Sequence, residues 1–272
     1  MSELLKIEFI DDSFTVDKSE EYQLLIREGS IGYQMAIFTR ENHLLLFLSW
    51  QKNTSEERVN HLLGLTYQSK KMVLNNNNII LIPSGLYNSS QHIYYLNLLG
   101  LNKETHTLLA DNPANLTSHS LYAIAKDEMT SLNKDFPDFT IFAKNTTVLS
   151  ALQQLQQEAA SYLAINFDND GADFTYFNQG KLNYHQTQPC QNADEFNYFL
   201  LAIAKEFQLD FSEIPVLISG AIEENHPYYE RLSKYSEHLH FLELSTLFTC
   251  SSYTVLKKAN HSLSLFGLLC AS

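Results

Sequence analysis

The fold is decided by residues 162–186, YLAINFDNDGADFTYFNQGKLNYHQ, where three strand-like runs are separated by two turns. Residues 162–167 and 172–177 are rich in branched and aromatic side chains, which favours β-strands. The segment 178–180, Asn-Gln-Gly, is typical of a hairpin turn because glycine adopts a positive φ at little cost. With residues 181–186 as the third strand, the stretch predicts an antiparallel meander.

A helix and then a buried strand follow this meander. Apolar residues spaced as one helix face indicate the helix: Phe196, Phe199, Leu200, Ile203 and Phe207. Pro215 then leads into residues 216–218, Val-Leu-Ile, a run typical of a strand buried on both faces. The predicted order is therefore meander, helix, strand, ended by Ser219 and Gly220.

The same order occurs earlier in the chain. Strands are predicted at 22–28, 33–38 and 43–50, followed by a helix and by a buried-type strand at 79–82. Sliding the first meander onto the second aligns few identical residues, so two unrelated hairpins remain an alternative. The shared element order favours an internal duplication, which predicts an α/β protein with two duplicated lobes and mixed sheets around a cleft.

Domain boundaries follow from this organisation. We expect lobe I at 1–145, lobe II at 146–248 and a C-terminal segment at 249–272. That segment ends in an apolar cluster from Leu263 to Leu269. Exposing such a cluster reduces solubility, so we expect the segment to pack back onto a lobe.

Composition narrows the function classes. The 272 residues are 44% hydrophobic, and 31 acids against 18 bases give a formal net charge of −13. So acidic a surface disfavours nucleic acid and anionic lipid, which points to an unknown protein as the partner. No run reaches the roughly 18 apolar residues of a membrane span. An acidic N-terminal sequence and three widely spaced cysteines predict a cytoplasmic protein without disulfides or a zinc site.

Further motifs carry a resemblance to a known family. They are L-L-I-R-E-G-S-x-x-Y at 24–33, N-Q-G-K-L at 178–182, D-E-F-x-Y-F-L at 194–200, L-I-S-G-A-I at 217–222 and Y-x-x-L-x-K-Y at 229–235. The sequence resembles an uncharacterised bacterial family, mainly from Bacteroidetes, whose domain of unknown function has an actin-like ATPase fold. Hsp70, actin and sugar kinases share that fold. In shape it is distantly similar to actin-like proteins of type IV pilus assembly and cell division.

The resemblance implies where a nucleotide would bind in the first lobe. Actin-like ATPases carry an Asp-x-Gly motif after the first strand of each lobe, and its small residues let backbone N–H groups approach phosphate. Here Gly29 and Ser30 match the motif, whereas Arg27 replaces the metal-orienting Asp and Gln34 replaces a basic residue further on.

The second lobe departs from the pattern as well. Asn166 stands in place of the Asp and Asp168 in place of the Gly, ahead of Gly171. The turn expected to lie against adenosine reads Ser219, Gly220 and Ala221, and it keeps one glycine of two.

These changes predict a degenerate nucleotide site. Arg27 would repel Mg²⁺, and a neutral Asn166 is a weaker ligand for a hard cation than a carboxylate. Asp168 would repel phosphate, at a cost of about 1 kcal/mol or more at about 4 Å. Arg27 could instead pair with a phosphate or bridge to Asp168. We therefore assign no catalytic residue and no metal site.

Three functions remain open at this stage. The first is a non-catalytic binding or scaffold protein, which the lost carboxylates favour. The second is an ATP-dependent or sugar-phosphate enzyme with a divergent active site. The third is a nucleotide-binding protein without hydrolysis, so ATP or another nucleotide remains a possible ligand and no cofactor is assigned.

Overall fold

A computed structural model describes residues 5–52, 54, 56–76, 78–155, 160–168 and 171–271. The chain divides into two compact units. The first contains Met1–Ala151, Leu247–Val255 and Ser264–Ser272, and the second contains Leu152–Thr246 and Leu256–Leu263. Both units contain strands and helices, which gives a mixed α/β architecture.

The elements follow one another along the chain. The N-terminal half contains β1 (Leu5–Ile10), a 3-10 helix (Val16–Glu21), β2 (Gln23–Glu28), β3 (Gly32–Phe38), β4 (Leu44–Gln51), α1 (Glu57–Leu63), β5 (Ser69–Leu74), β6 (Ile79–Pro83), α2 (His92–Leu98), β7 (His106–Asp111), β8 (Ser118–Ala125), α3 (Lys126–Asp135), β9 (Thr140–Ala143) and α4 (Lys144–Leu155). The C-terminal half contains β10 (Tyr162–Asp168), β11 (Gly171–Asn178), β12 (Lys181–Gln188), α5 (Ala193–Phe207), β13 (Val216–Gly220), α6 (Pro227–Leu232), β14 (Leu239–Phe241), α7 (Tyr253–Lys258) and α8 (Leu263–Phe266).

The main sheet of the first unit has the strand order β1-β4-β3-β2-β5-β9. The strands β2, β3 and β4 form the predicted antiparallel meander, and β5 and β9 continue the sheet in parallel. In β2, Leu24, Leu25 and Ile26 are all fully buried, so both faces of this strand are covered. A central strand covered on both faces reads as a continuous apolar run, as the sequence here does.

A second, smaller sheet in this unit has the order β6-β8-β7. Its own core includes Tyr95 and Leu96 from α2 together with Leu108 and Leu121. At the end of β7, Asp111 accepts hydrogen bonds from the Ala143 backbone N–H (2.7 Å) and the Tyr122 hydroxyl (3.2 Å). The carboxyl group therefore joins the small sheet to the end of β9.

The second unit contains one sheet with the order β12-β11-β10-β13-β14. Its meander is again antiparallel, and β13 and β14 are parallel to β10. The helix α5 buries Phe196, Leu200 and Ile203 against this sheet. It begins where the Asn192 side chain accepts hydrogen bonds from the backbone N–H groups of the first turn, as a strong N-cap does.

The sequence interpretation was wrong about which strand follows α1. That strand is β5, Ser-Lys-Lys-Met-Val-Leu, whose two lysines conceal its pattern. Lys71 is half-buried, and its ammonium group donates to the carbonyl oxygens of Leu268 (3.2 Å) and Ala271 (2.5 Å). The predicted strand at 79–82 exists as β6, but it is a half-exposed edge strand of the small sheet.

Two further elements differ from the sequence interpretation. The helix α3 was not predicted, because Leu132 is its one fully buried residue and the apolar periodicity is weak. The strand expected around 238–244 is limited to Leu239–Phe241.

The C-terminal residues assigned to the first unit include two buried aromatic side chains, Phe248 and Phe266. Phe266 is fully buried, and its ring centroid lies 4.7 Å from that of Phe248, 5.6 Å from Phe47 and 6.1 Å from Phe38. A Cβ added at Gly267 would lie 2.3 Å from the Thr147 carbonyl oxygen, so the backbone approaches closely there.

Candidate functional site

The first candidate turn joins β2 to β3. The Gly29 N–H donates to the Gly32 carbonyl oxygen at 2.7 Å, which closes the turn through Ser30. A Cβ added at Gly32 would lie 2.2 Å from the Trp50 carbonyl oxygen, so only glycine fits between the strands. The turn is therefore tight and formed by backbone contacts.

Arg27 and Gln34 face each other across the meander. They are directly opposite in the antiparallel register of β2 and β3, and the Arg27 guanidinium donates to Gln34 Oε1 at 3.2 Å. Both residues were predicted from the sequence as site candidates, and in the structure their side chains are hydrogen-bonded. The cross-strand contact directs an amide oxygen, rather than a carboxylate, at this cation.

An ion pair beside the same turn was not predicted. Glu28 is buried, and the Lys52 ammonium group lies 2.5 Å from its Oε1. Lys52 also lies 5.7 Å from the ring centroid of Tyr33. Burial, with a contribution from Glu28, raises the pKa of Tyr33 to about 12. No local pattern predicts this pair, because Glu28 ends β2 and Lys52 follows β4, two strands later in the chain.

Beside the second candidate turn, side chains of β10, β11, β12 and β13 form a hydrogen-bonded network. Asn166 Nδ2 donates to Asp173 Oδ2 at 2.9 Å, and the Ser219 hydroxyl donates to Asn166 Oδ1 at 3.0 Å. The Thr187 hydroxyl donates to Asp173 Oδ1 at 2.7 Å. Asn166, Asp173 and Ser219 are 6%, 2% and 3% exposed. The network therefore satisfies three buried polar side chains inside one sheet.

Asp173 and Thr187 belong to this network but were not predicted from the sequence, and Asp173 is its one charged member. It lies in the strand segment Ala-Asp-Phe-Thr-Tyr-Phe, where it is the single charged residue among apolar and aromatic neighbours. A lone acidic residue in an apolar strand is the sequence feature that indicates this role, because a buried carboxylate needs hydrogen-bonding partners.

Each meander contains a cross-strand hydrogen-bonded pair, and the two pairs occupy equivalent positions in their strands. Arg27 is the fifth residue of β2, and Asn166 is the fifth residue of β10. Their partners, Gln34 and Asp173, are each the third residue of the next strand. The residues that differ from the actin-like pattern are thus bonded to the strand beside them in both units.

The predicted adenosine turn lies against β10. Gly220 has a φ of +93°, and an added Cβ would lie 1.8 Å from the Phe167 carbonyl oxygen. The Ala221 N–H donates to that same oxygen at 3.0 Å. The structure thus brings Ser219, Gly220 and Ala221 together with Asn166 at one end of the parallel strands.

Asp168 is the last residue of β10 and Gly171 is the first residue of β11, and the two are paired in the antiparallel register. Gly171 has a φ of +138°, and an added Cβ would lie 2.2 Å from the Gln188 carbonyl oxygen. Within the described ranges, no three His, Cys, Asp or Glu side chains are grouped closely enough to bind one metal ion.

The chain matches a known family over most of its length. Residues 11–239 match the model described as "Protein of unknown function (DUF3822)". The chain belongs to the DUF3822 family. No protein of curated function matches this DUF3822 sequence.

Two solved structures show the fold of this DUF3822 protein. A Bacteroides thetaiotaomicron protein with an actin-like ATPase fold and unknown function matches with a TM-score of 0.74 and 15% identity, covering 93% of this chain and 98% of that one. The PilM–PilN type IV pilus biogenesis complex matches with a TM-score of 0.60 and 10% identity, covering 91% of this chain and 98% of that one. The predicted actin-like ATPase fold and its resemblance to an uncharacterised family are confirmed.

In the described part of the chain, no helix is both long enough and apolar enough to cross a bilayer.

Proposed function

We propose that this DUF3822 protein is a non-catalytic binding or scaffold protein that recognises a protein partner. One observation carries the proposal: the Asn166–Asp173 pair, where the actin-like pattern would place a free carboxylate, is bonded within its own sheet. An ATPase needs charge-stabilising groups that are already directed at the reacting phosphate and its metal.

The first turn supports this proposal. Arg27, at the expected Asp position, carries a positive charge and would repel Mg²⁺. The nearest carboxylate along the chain, Glu28, already contacts Lys52. A metal ion at Glu28 would have to displace this ammonium group from the carboxylate.

The second turn supports it as well. Both carboxyl oxygens of Asp173 accept hydrogen bonds, one from Asn166 and one from Thr187. A metal ion at Asp173 would have to replace these donors, and Asn166 would offer it only a neutral oxygen. Mg²⁺ favours carboxylates, phosphates and water in near-ideal octahedral geometry.

The partner and compartment are part of the same proposal. The solved PilM structure is named as a complex with PilN, which shows that this fold can serve partner binding in another protein. A net charge of −13 favours a protein partner over nucleic acid. Cys190, Cys250 and Cys270 are free thiols, and burial raises the pKa of Cys190 and of Cys270 to about 11. Unreactive free thiols support a cytoplasmic location.

Calorimetric titration with ATP, with and without Mg²⁺, tests the proposal. We expect no Mg²⁺-dependent binding and no ATP hydrolysis above background. Hydrolysis by the wild-type protein that requires Mg²⁺ and is lost on mutation of Arg27 would refute it.

Restoring the two lost carboxylates tests whether their absence prevents Mg²⁺-nucleotide binding. Arg27→Asp with Asn166→Asp restores both carboxylates, and we expect Mg²⁺-ATP to raise the melting temperature of this variant alone. The control Arg58→Asp with Asn183→Asp makes the same charge change at exposed positions. Equal Mg²⁺ responses in both double variants would show that the two turns are not special.

A second candidate, nucleotide binding without hydrolysis, is favoured by the Gly29 turn. The small residues Gly29 and Ser30 remain, and the half-buried Arg27 offers a guanidinium, which pairs with phosphate in a bidentate manner. Stabilisation by ATP in EDTA would support this candidate. Stabilisation only with Mg²⁺ would instead support an enzyme with a divergent site.

A further inference from the structure

The small sheet of the first unit differs in charge from the rest of the chain. Residues 79–102 contain no Asp, Glu, Lys or Arg, and residues 103–125 contain only Lys103, Glu104 and Asp111. The protein as a whole carries a formal net charge of −13. The elements β6, α2, β7 and β8 therefore form a nearly neutral region of a strongly acidic protein.

One face of α2 is apolar and open to solvent. Ile93, Tyr94 and Leu98 are 54%, 57% and 56% exposed, although the same helix buries Tyr95 in the core of the small sheet. Positions 93, 94, 97 and 98 are neighbours on a helix, because side chains four residues apart lie one above the other. The polar member of this row is Asn97, which is uncharged, so the exposed face of α2 carries no charge.

Leu86 lies beside this helix. It ends the 3-10 turn Ser84–Leu86, which follows β6, and it is 73% exposed. The Tyr95 hydroxyl donates to the Leu86 carbonyl oxygen at 3.2 Å and accepts from the Asn88 N–H at 2.9 Å, so the turn is held against α2. The α2 surface consists of Leu86, Ile93, Tyr94 and Leu98.

Exposed large hydrophobic side chains are concentrated at the α2 surface. Of the eleven found among the described residues, four lie within residues 86–98, and the other seven are spread along the rest of the chain. With about 100 Å² of each side chain exposed, the α2 surface covers on the order of 400 Å². A patch of a few hundred Å² is the largest that soluble monomers usually expose, and such patches often serve binding.

Area and charge together indicate what covers the α2 surface. A stable dimer buries about 800 Å² on each copy, about twice the area available here, which disfavours a second copy of this chain. A charged partner face would lose its hydration against α2 without meeting an opposite charge. A single helix with an uncharged apolar face satisfies both conditions, because it is narrow and packs its side chains between those of α2.

We propose that the α2 surface binds one helix of a partner protein, and that the contacting face of this helix is aliphatic or aromatic and uncharged. In this arrangement Ile93, Tyr94 and Leu98 pack between apolar side chains that recur at i, i+3, i+4 and i+7 on the partner helix. The role of this surface rests on the proposed scaffold function, for which it supplies the place of binding. It shares no residue with the two candidate turns.

Methyl NMR of the full-length protein, labelled at its Ile and Leu methyl groups, tests the surface. The probe is a synthetic peptide of about 15 residues, long enough to form a helix, with Leu at i, i+3, i+4 and i+7 and with Gln and Ser elsewhere. A control peptide has the same composition in scrambled order. We expect the helical peptide to shift the methyl signals of Leu86, Ile93 and Leu98. The signals of Leu201, which is 41% exposed on α5, should not move.

Two substitutions make the test specific. Leu98→Ser removes one apolar side chain from the α2 surface and should weaken binding of the helical peptide about tenfold, because the leucine is no longer buried on binding. The folded state should tolerate this change, since Leu98 is already 56% exposed. Leu201→Ser makes the same change on α5 and should leave the affinity unchanged.

Several results would overturn the proposal. They are an absence of methyl shifts with the helical peptide at millimolar concentration, equal shifts with the scrambled peptide, and equal affinities of the two serine variants. A dimer in light scattering that Leu98→Ser dissociates would assign the surface to a second copy instead. The same methyl shifts with phosphatidylcholine vesicles, and none with the peptide, would assign it to lipid. Mg²⁺-dependent ATP hydrolysis would refute the scaffold function but would neither produce nor remove these methyl shifts, so the two failures are distinguishable.

Discussion

Replacing Asp173 by alanine should destabilise the second unit strongly. The carboxyl group is 2% exposed and accepts from Asn166 at 2.9 Å and from Thr187 at 2.7 Å. Its loss leaves the buried Asn166 amide without its acceptor and opens a cavity in the sheet. A hydrogen bond to a charged acceptor is worth about 1.5–3 kcal/mol, so two of them give an expected loss of about 3–6 kcal/mol.

Asp173→Asn should be much milder, because the network can rearrange. If the Asn166 amide turns over, its oxygen accepts from the new amide and its nitrogen donates to Ser219, whose hydroxyl both donates and accepts. The new amide oxygen still accepts from Thr187. We therefore expect a loss of about 1 kcal/mol.

Urea unfolding followed by far-ultraviolet circular dichroism measures both changes. Asp194→Ala is the matched control: that carboxylate contacts Arg231 at 2.5 Å, but its side chain is 85% exposed. An exposed ion pair contributes at most about 1 kcal/mol. The single tryptophan, Trp50, lies in the first unit, so its fluorescence reports that unit separately. Equal unfolding midpoints for Asp173→Ala and the wild type would refute the reasoning, and equal losses for both Asp173 variants would refute the rearrangement.

Three other changes have expected outcomes. Gly220→Ala should cost about 3 kcal/mol or more, because φ is +93° and the new Cβ meets the Phe167 carbonyl oxygen, whereas Gly85→Ala, with no atom within 4 Å, should be neutral in the same urea assay. Burial raises the pKa of Asp111 from 3.8 to about 6. The folded state then binds the proton more tightly, so the stability from this group is complete below pH 4 and is lost as pH rises through 6. Unfolding between pH 4 and 7 should show a loss on the order of 2 kcal/mol that Asp111→Asn removes. Phe266→Ala should cost about 3–5 kcal/mol and lower the melting temperature, since its ring is fully buried among three aromatic rings, and an unchanged melting temperature would contradict that packing.

Part of the candidate site was accessible from the sequence and part was not. Gly29, Arg27 and Gln34 were identifiable because the resemblance to actin-like ATPases places a phosphate motif directly after the first strand of the lobe. Asp173 and Lys52 were missed, because their roles depend on which strands become neighbours. Lys52 reaches Glu28 only through the order of the sheet.

The small sheet shows the same limit. Residues 79–82 are as apolar as a central strand, yet they form an edge strand of the small sheet. The strand that pairs with β2 in the main sheet is β5, and its two lysines hide its apolar pattern. A hydrophobic pattern reports that a segment is buried on some face, but it does not report against which partner.

The sequence by itself determined the two meanders and the helices with strong apolar periodicity, because local alternation and turn chemistry specify these elements. The actin-like fold followed from the resemblance of its motifs to a known family. Only the tertiary structure decided the bonding of Asn166 to Asp173 and the pairing of Glu28 with Lys52. Each of these depends on atoms that are distant along the chain and adjacent in space, and such contacts are set by sheet order and packing rather than by any local pattern.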